Sequence, residues 1–133
     1  MADTVTSQTI QDGERVAILK FTNESDGTGE ASVKKVDVSA LTKNSRGEAC
    51  TGVSISRIYW ACRGMGVDIE FDATTNVLAI PLPADSTGDE YYDLFTGIPN
   101  NAGSGVTGDI DFTTVGHSNG DAYSIILVLT KNY

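Results

Sequence analysis

The chain has 133 residues, 40% hydrophobic and 20% charged, a composition suited to one folded domain of ordinary size rather than a disordered segment. Nine basic against eighteen acidic groups give a formal net charge of −9, and only Arg57, Arg63 and Lys131 are basic beyond residue 50. That balance leaves no basic footprint for a phosphate backbone, no apolar run reaches the ~20 residues of a membrane span, and residues 1–10 show no secretory signal, so neither nucleic acid nor membrane is expected as a direct partner.

Residues 4–10 and 14–22 read as two strands separated by the turn signal Gln11-Asp12-Gly13, with residues 1–12 a candidate extended N-terminal arm. Val16 and Ile18 share one face of the second strand and Ala17 and Leu19 the other. The polar segment Asn23–Ala31 is a loop. Ser32–Leu41 is extended, and Lys34-Lys35 breaks its alternation, which predicts a bulge.

After a second polar loop, Thr42–Thr51, comes the longest apolar strand, Val53–Cys62, then Val67–Phe71 and Val77–Leu82. A tight turn at Arg63-Gly64 would pair Trp60 with Val67, Ile58 with Ile69, Ser56 with Phe71, and Arg57 with Glu70. Asp72–Asn76 closes the next hairpin, and Pro81 and Pro83 end its second strand. Ala84–Gly105 is the least regular stretch. Its aromatic residues Tyr91, Tyr92 and Phe95 suit an interface better than a solvated loop, and mark the candidate contact region.

The C-terminal stretch Gly108–Lys131 carries Asn119-Gly120 between two alternating runs. A type I′ hairpin turn there needs positive φ at both residues and would pair Ser118 with Asp121, Thr114 with Ile125 and Phe112 with Leu127. Ile110, Phe112, Tyr123, Ile125, Leu127 and Leu129 then share one face, with Asp109, Asp111, Thr113 and Ser124 on the other. About eight strands without a helical period predict an all-β fold, an antiparallel β-sandwich of jelly-roll type, as a single domain over residues 1–133.

Chemical motifs are weak throughout. Gly103, Gly105 and Gly108 spell G-x-G-x-x-G, but a loop precedes them and a strand follows, so no helix N-terminus awaits a phosphate. His117, Ser118 and Asp121 have the residue types of a hydrolytic triad but straddle a tight turn, which opposes the required geometry. Asp85, Asp89, Glu90 and Asp93, like Asp109 and Asp111, lack the spacing of a calcium loop, and a solvated acidic surface is the simpler reading. Two cysteines and one histidine are too few for structural zinc, and an extended Gly52–Cys62 would hold Cys50 and Cys62 too far apart for a disulfide. Two reduced thiols made in a cytoplasm, no cofactor, no metal and no catalytic residue are expected. Trp60 belongs to the core; a sugar-binding module would instead need Trp60, Tyr91 and Tyr92 exposed together.

Three phrases, KVDVSAL (Lys35–Leu41), RIYWACRGMGVDIEFDATTN (Arg57–Asn76) and GDIDFTTVGHSNGDAYSIILVLTK (Gly108–Lys131), resemble a group of small virion structural proteins of tailed bacteriophages. Small acidic β-proteins of this kind are most like capsid decoration, or cement, proteins. The resemblance implies a non-enzymatic protein on the outer head surface, partnered by the major capsid protein, and made in the bacterial host cytoplasm. It also implies a homo-oligomer, trimer favoured over dimer. A tail or neck component is the alternative it leaves open.

Overall fold

The computed structural model describes residues 3–92 and 97–133. Among the described residues nine strands follow one another: β1 (Thr4–Asp12), β2 (Val16–Glu24), β3 (Val33–Val36), β4 (Gly52–Arg63), β5 (Gly66–Phe71), β6 (Val77–Leu82), β7 (Thr87–Tyr91), β8 (Ile110–Val115) and β9 (Ala122–Asn132). A 3-10 turn, Val38–Ala40, follows β3 and is capped by the Asp37 carboxylate, which accepts from Ser39 N. The strands form a five-stranded sheet, β1-β2-β9-β4-β7, and a four-stranded sheet, β3-β8-β5-β6, all antiparallel.

The pairings have a simple rule. β5 pairs with β6, β4 with β7, β3 with β8 and β2 with β9, and successive pairs alternate between the two sheets. This is one long antiparallel ribbon rolled over a common core, the jelly roll expected from the sequence, with β1 added at one edge.

Alternation builds that core. β9 buries Tyr123, Ile125, Leu127 and Leu129, β2 buries Ala17, Leu19 and Phe21, and β4 supplies Val53, Ile55 and Ile58. From the other sheet come Val67, Ile69, Phe71, Ile110 and Phe112. Phe112 stands edge-on to Phe21 and Tyr123, with ring centroids 5.4 and 5.8 Å away, so the aromatic contact itself joins the sheets.

Two expected hairpins are present: β1–β2, and β5–β6 across Asp72–Asn76. The other two are not. β8 pairs with β3 and β5, while β9 pairs with β2 and β4, so the Asn119-Gly120 turn crosses from one sheet to the other. Ile110, Phe112, Tyr123 and their companions do meet, but face to face across the core. The Arg63–Gly66 corner crosses likewise, so Arg57 does not oppose Glu70. The two corners are tied together: Arg63 Nη2 donates to Gly120 O at 3.0 Å.

The Asn119-Gly120 turn is also of a different type. Asp121 N donates to Ser118 O at 3.1 Å, but only Gly120 has positive φ, at 91°. That matches a type II turn, which needs positive φ at its second central residue alone. Asn119→Val should therefore change stability by no more than about 0.5 kcal/mol, as surface substitutions usually do. Gly120→Ala should cost about 1–2 kcal/mol, since left-handed backbone disfavours a Cβ. Chemical denaturation of both variants checks the order.

Other corrections are local. Residues 4–12, within the candidate extended arm, form an edge strand paired with β2. The segment Ala84–Gly105 contains β7. The bulge foreseen at Lys34-Lys35 is present, between Lys34 and Val36. On β2 the core face is Ala17, Leu19 and Phe21, with Val16 and Ile18 half-buried outside. Beyond β7 the chain returns to β4 at Gly97 and Ile98; Ile55 and Ile98 exchange backbone hydrogen bonds of 3.0 and 2.8 Å. Gly97 has φ of 101°, and a Cβ there would fall 2.6 Å from Ile55 O, so glycine is required.

Candidate interaction surface

A register shift between Ile55 and Arg57 makes Ser56 the extra residue of β4. Past it, Arg57, Tyr59 and Ala61 face outward from the five-stranded sheet, while Ile58 and Cys62 face the core. Cross-strand register then lines up Ile18, Val128, Arg57 and Tyr91 in one row and Lys20, Ile126, Tyr59 and Asp89 in the next.

Arg57 is the centre of this surface. Its Nε and Nη2 donate to Asp89 Oδ1 and Oδ2 at 3.0 and 2.9 Å, a bidentate pair. The guanidinium carbon lies 4.7 Å from the Tyr59 ring centroid and 5.2 Å from that of Tyr91. The hydrogen bond with Asp89 raises the Arg57 pKa and lowers that of Asp89, so both groups are charged at neutral pH. Tyr91 is 60% exposed, whereas Tyr92 is half-buried and its pKa is raised by burial and then by Glu90. Phe95, the third expected interface residue, lies outside the described residues. Half-exposed Ile18, Ile126 and Val128 adjoin the cluster. A planar cation fixed by its carboxylate between two tyrosines, next to aliphatic surface, is chemistry for protein contact.

Trp60 faces the other way, as expected. It packs against the core and its Nε1–H donates to Ser86 Oγ at 3.0 Å. It does not share a face with Tyr91, so the three-aromatic sugar platform is not assembled.

The remaining motifs stay apart. His117 Nδ1 is 3.1 Å from Thr114 Oγ1, while Asp121 Oδ2 accepts from Ser118 N at 2.8 Å, so no Ser–His–Asp relay forms. Asp85 accepts from Gly64 N at 2.7 Å and Asp89 binds Arg57; Asp93 lies outside the described residues. Among the described residues no three His, Cys, Asp or Glu side chains converge as a metal site, and no helix is long and apolar enough to cross a membrane. Cys50 and Cys62 are both free and buried, and burial raises the Cys62 pKa. No protein-family model, curated protein or solved structure matches the chain significantly.

Sequence reasoning missed the buried polar groups. Asp109 and Asp111, expected on an exposed face, are 5% and 3% exposed. Glu30 and Lys35 form an ion pair with both side chains 5% exposed. Glu30 Oε1 also accepts from Tyr123 OH at 2.6 Å and from Asn23 Nδ2 at 2.9 Å. Burial and the neighbouring Glu30 carboxylate together push the Tyr123 pKa up. The one available sequence signal was a lysine where the strand's alternation failed.

Proposed function

We propose that this chain is a non-enzymatic structural protein of a tailed-phage virion, a decoration protein that docks on the outer head shell through the outer face of its five-stranded sheet. The observation that carries the reading is the Arg57–Tyr59–Tyr91 cluster, with Tyr91 60% exposed beside Ile18, Ile126 and Val128. Arginine and tyrosine are, with tryptophan, the residues enriched among the energetic anchors of protein interfaces. The phage-like wording of Lys35–Leu41, Arg57–Asn76 and Gly108–Lys131 names the class of partner, a major capsid protein, and supports a homo-oligomer.

The test is co-sedimentation of the purified chain with heads that lack it. Arg57→Ala combined with Tyr91→Ala should weaken binding at least tenfold, about 1.4 kcal/mol, without lowering the melting temperature much. Undiminished binding by the double variant would remove this surface from the proposal. Electron microscopy that located the chain on tails or necks and not on DNA-filled heads would remove the head assignment.

A further inference from the structure

The two sheets have four outer edges, and three are blunted against further strand pairing. β3 is four residues long, carries Lys34 and Lys35, and is interrupted by a bulge. β6 contains Pro81 and a register shift opposite Ile69 and Glu70. β7 carries Asp89 and Glu90 in five residues. Lysine, proline, bulges, charges and shortness are the usual devices that keep an edge from templating another chain.

β1 has almost none of them. It is nine residues long, and Thr4–Gln11 contains no charge, glycine or proline. A shift between Thr9 and Gln11 disturbs one end and leaves Thr4–Thr9 regular. Those residues are exposed on both faces of the strand, Val5 to 43%. The charges at either end are already partnered. Asp12 pairs with buried Lys131. Asp3 accepts from Asn23 Nδ2 at 3.1 Å and from Asp26 N and Gly29 N at 3.2 Å. Together with the β1–β2 pairing, these ties anchor both ends of β1, Asp12 to β9 and Asp3 to β2 and the loop after it, so its outer edge is held in place before any partner arrives.

We infer that the free edge of β1 pairs antiparallel with β1 of a second copy, joining two five-stranded sheets into one of ten strands. The charge pattern selects this occupant. Two copies of net charge −9 repel, and the edge that brings them together is the one whose six regular residues are all neutral. Antiparallel self-pairing is isologous, so a single contact uses up both edges and closes the assembly as a dimer instead of a fibre or a trimer. The inference stands on the edge strand alone and does not depend on the capsid partner proposed above.

Sedimentation velocity over a wide concentration range tests it, together with hydrogen exchange of residues 4–9. The parent chain should show a monomer–dimer equilibrium, with exchange in this segment slowing as the dimer fills. Ser7→Glu with Gln8→Glu adds negative charge to both joined edges at exposed positions, and a glutamate at position 8 faces Lys20 of its own copy; it should weaken dimerisation at least tenfold without lowering the melting temperature. Leu78→Lys, on the exposed edge strand β6, should leave the dimer intact. A monomer at every concentration, a trimer, or a dimer indifferent to the β1 substitutions would each overturn the inference. Because head binding is read with Arg57 and Tyr91 variants, failure of one proposal does not mimic failure of the other.

Discussion

Lys35→Met should lower stability by about 3–5 kcal/mol, the usual cost of leaving one charge of a buried ion pair without its partner. The Lys35 ammonium meets Glu30 Oε2, and both side chains are 5% exposed. The other Glu30 oxygen is held by Tyr123 OH and Asn23 Nδ2. Removing the lysine leaves the carboxylate with two donors and no counter-charge in the interior. For a domain of this size the loss corresponds to a fall of order 10 °C or more in melting temperature. The neighbouring Lys34 supplies the control. Its ammonium lies 2.9 Å from Asp109 Oδ2, but the lysine side chain is half exposed, so water can take its place and Lys34→Met should cost clearly less than Lys35→Met. Glu30→Gln combined with Lys35→Met should recover part of the loss, since the pair is then removed as a unit. Urea denaturation of the four proteins measures each step. Equal effects at positions 34 and 35 would show that the fully buried pair contributes no more than the half-exposed one.

The same two lysines show how far the sequence could be read. Their break in alternation gave the bulge between Lys34 and Val36, because register is visible in one strand's own pattern. It did not show that Lys35 finds a carboxylate on a loop five residues earlier. Strand pairing divided along the same line. A short turn between two amphipathic strands buries the same residues whether the strands lie side by side or are stacked across a core. The hydrophobic pattern of Gly108–Lys131 is satisfied by both, and rolling the ribbon selects the second. The β5–β6 turn was legible because it is the closed end of that ribbon. Of the proposed contact cluster, Tyr91 stood out in the sequence through its acidic, aromatic setting. Its companions Arg57 and Tyr59 did not, because β4 pairs with β7 at long range, and the Ser56 bulge decides which side chains face out.

Asp111→Asn should stabilise the protein at pH 8, by about 1–2 kcal/mol, and should make little difference at pH 4. Asp111 lies on β8, where an exposed carboxylate was expected; instead it is buried. Its pKa is raised to about 6, first by burial and then by the adjoining carboxyls of Asp72 and Glu70, against the opposing hydrogen bond from Asn76. Asn76 Nδ2 donates to Asp111 Oδ2 at 2.9 Å, while Oδ1 is buried with no donor. The neighbouring Asp72 is a second carboxyl, so the two can pair only through a shared proton. The folded state therefore holds this proton more tightly than the unfolded chain, whose carboxyl has the ordinary value of 3.8. The stability it contributes is complete below that value and is lost as pH rises through about 6. Asparagine keeps an acceptor for Asn76 and offers Asp72 a permanent N–H donor, with no charge to bury. The difference in unfolding free energy between parent and variant, followed from pH 4 to 8, cancels the contributions of the other titrating groups. A variant less stable than the parent by the same amount at every pH would mean that Asp111 is needed as a carboxylate, and the shared-proton account would fail.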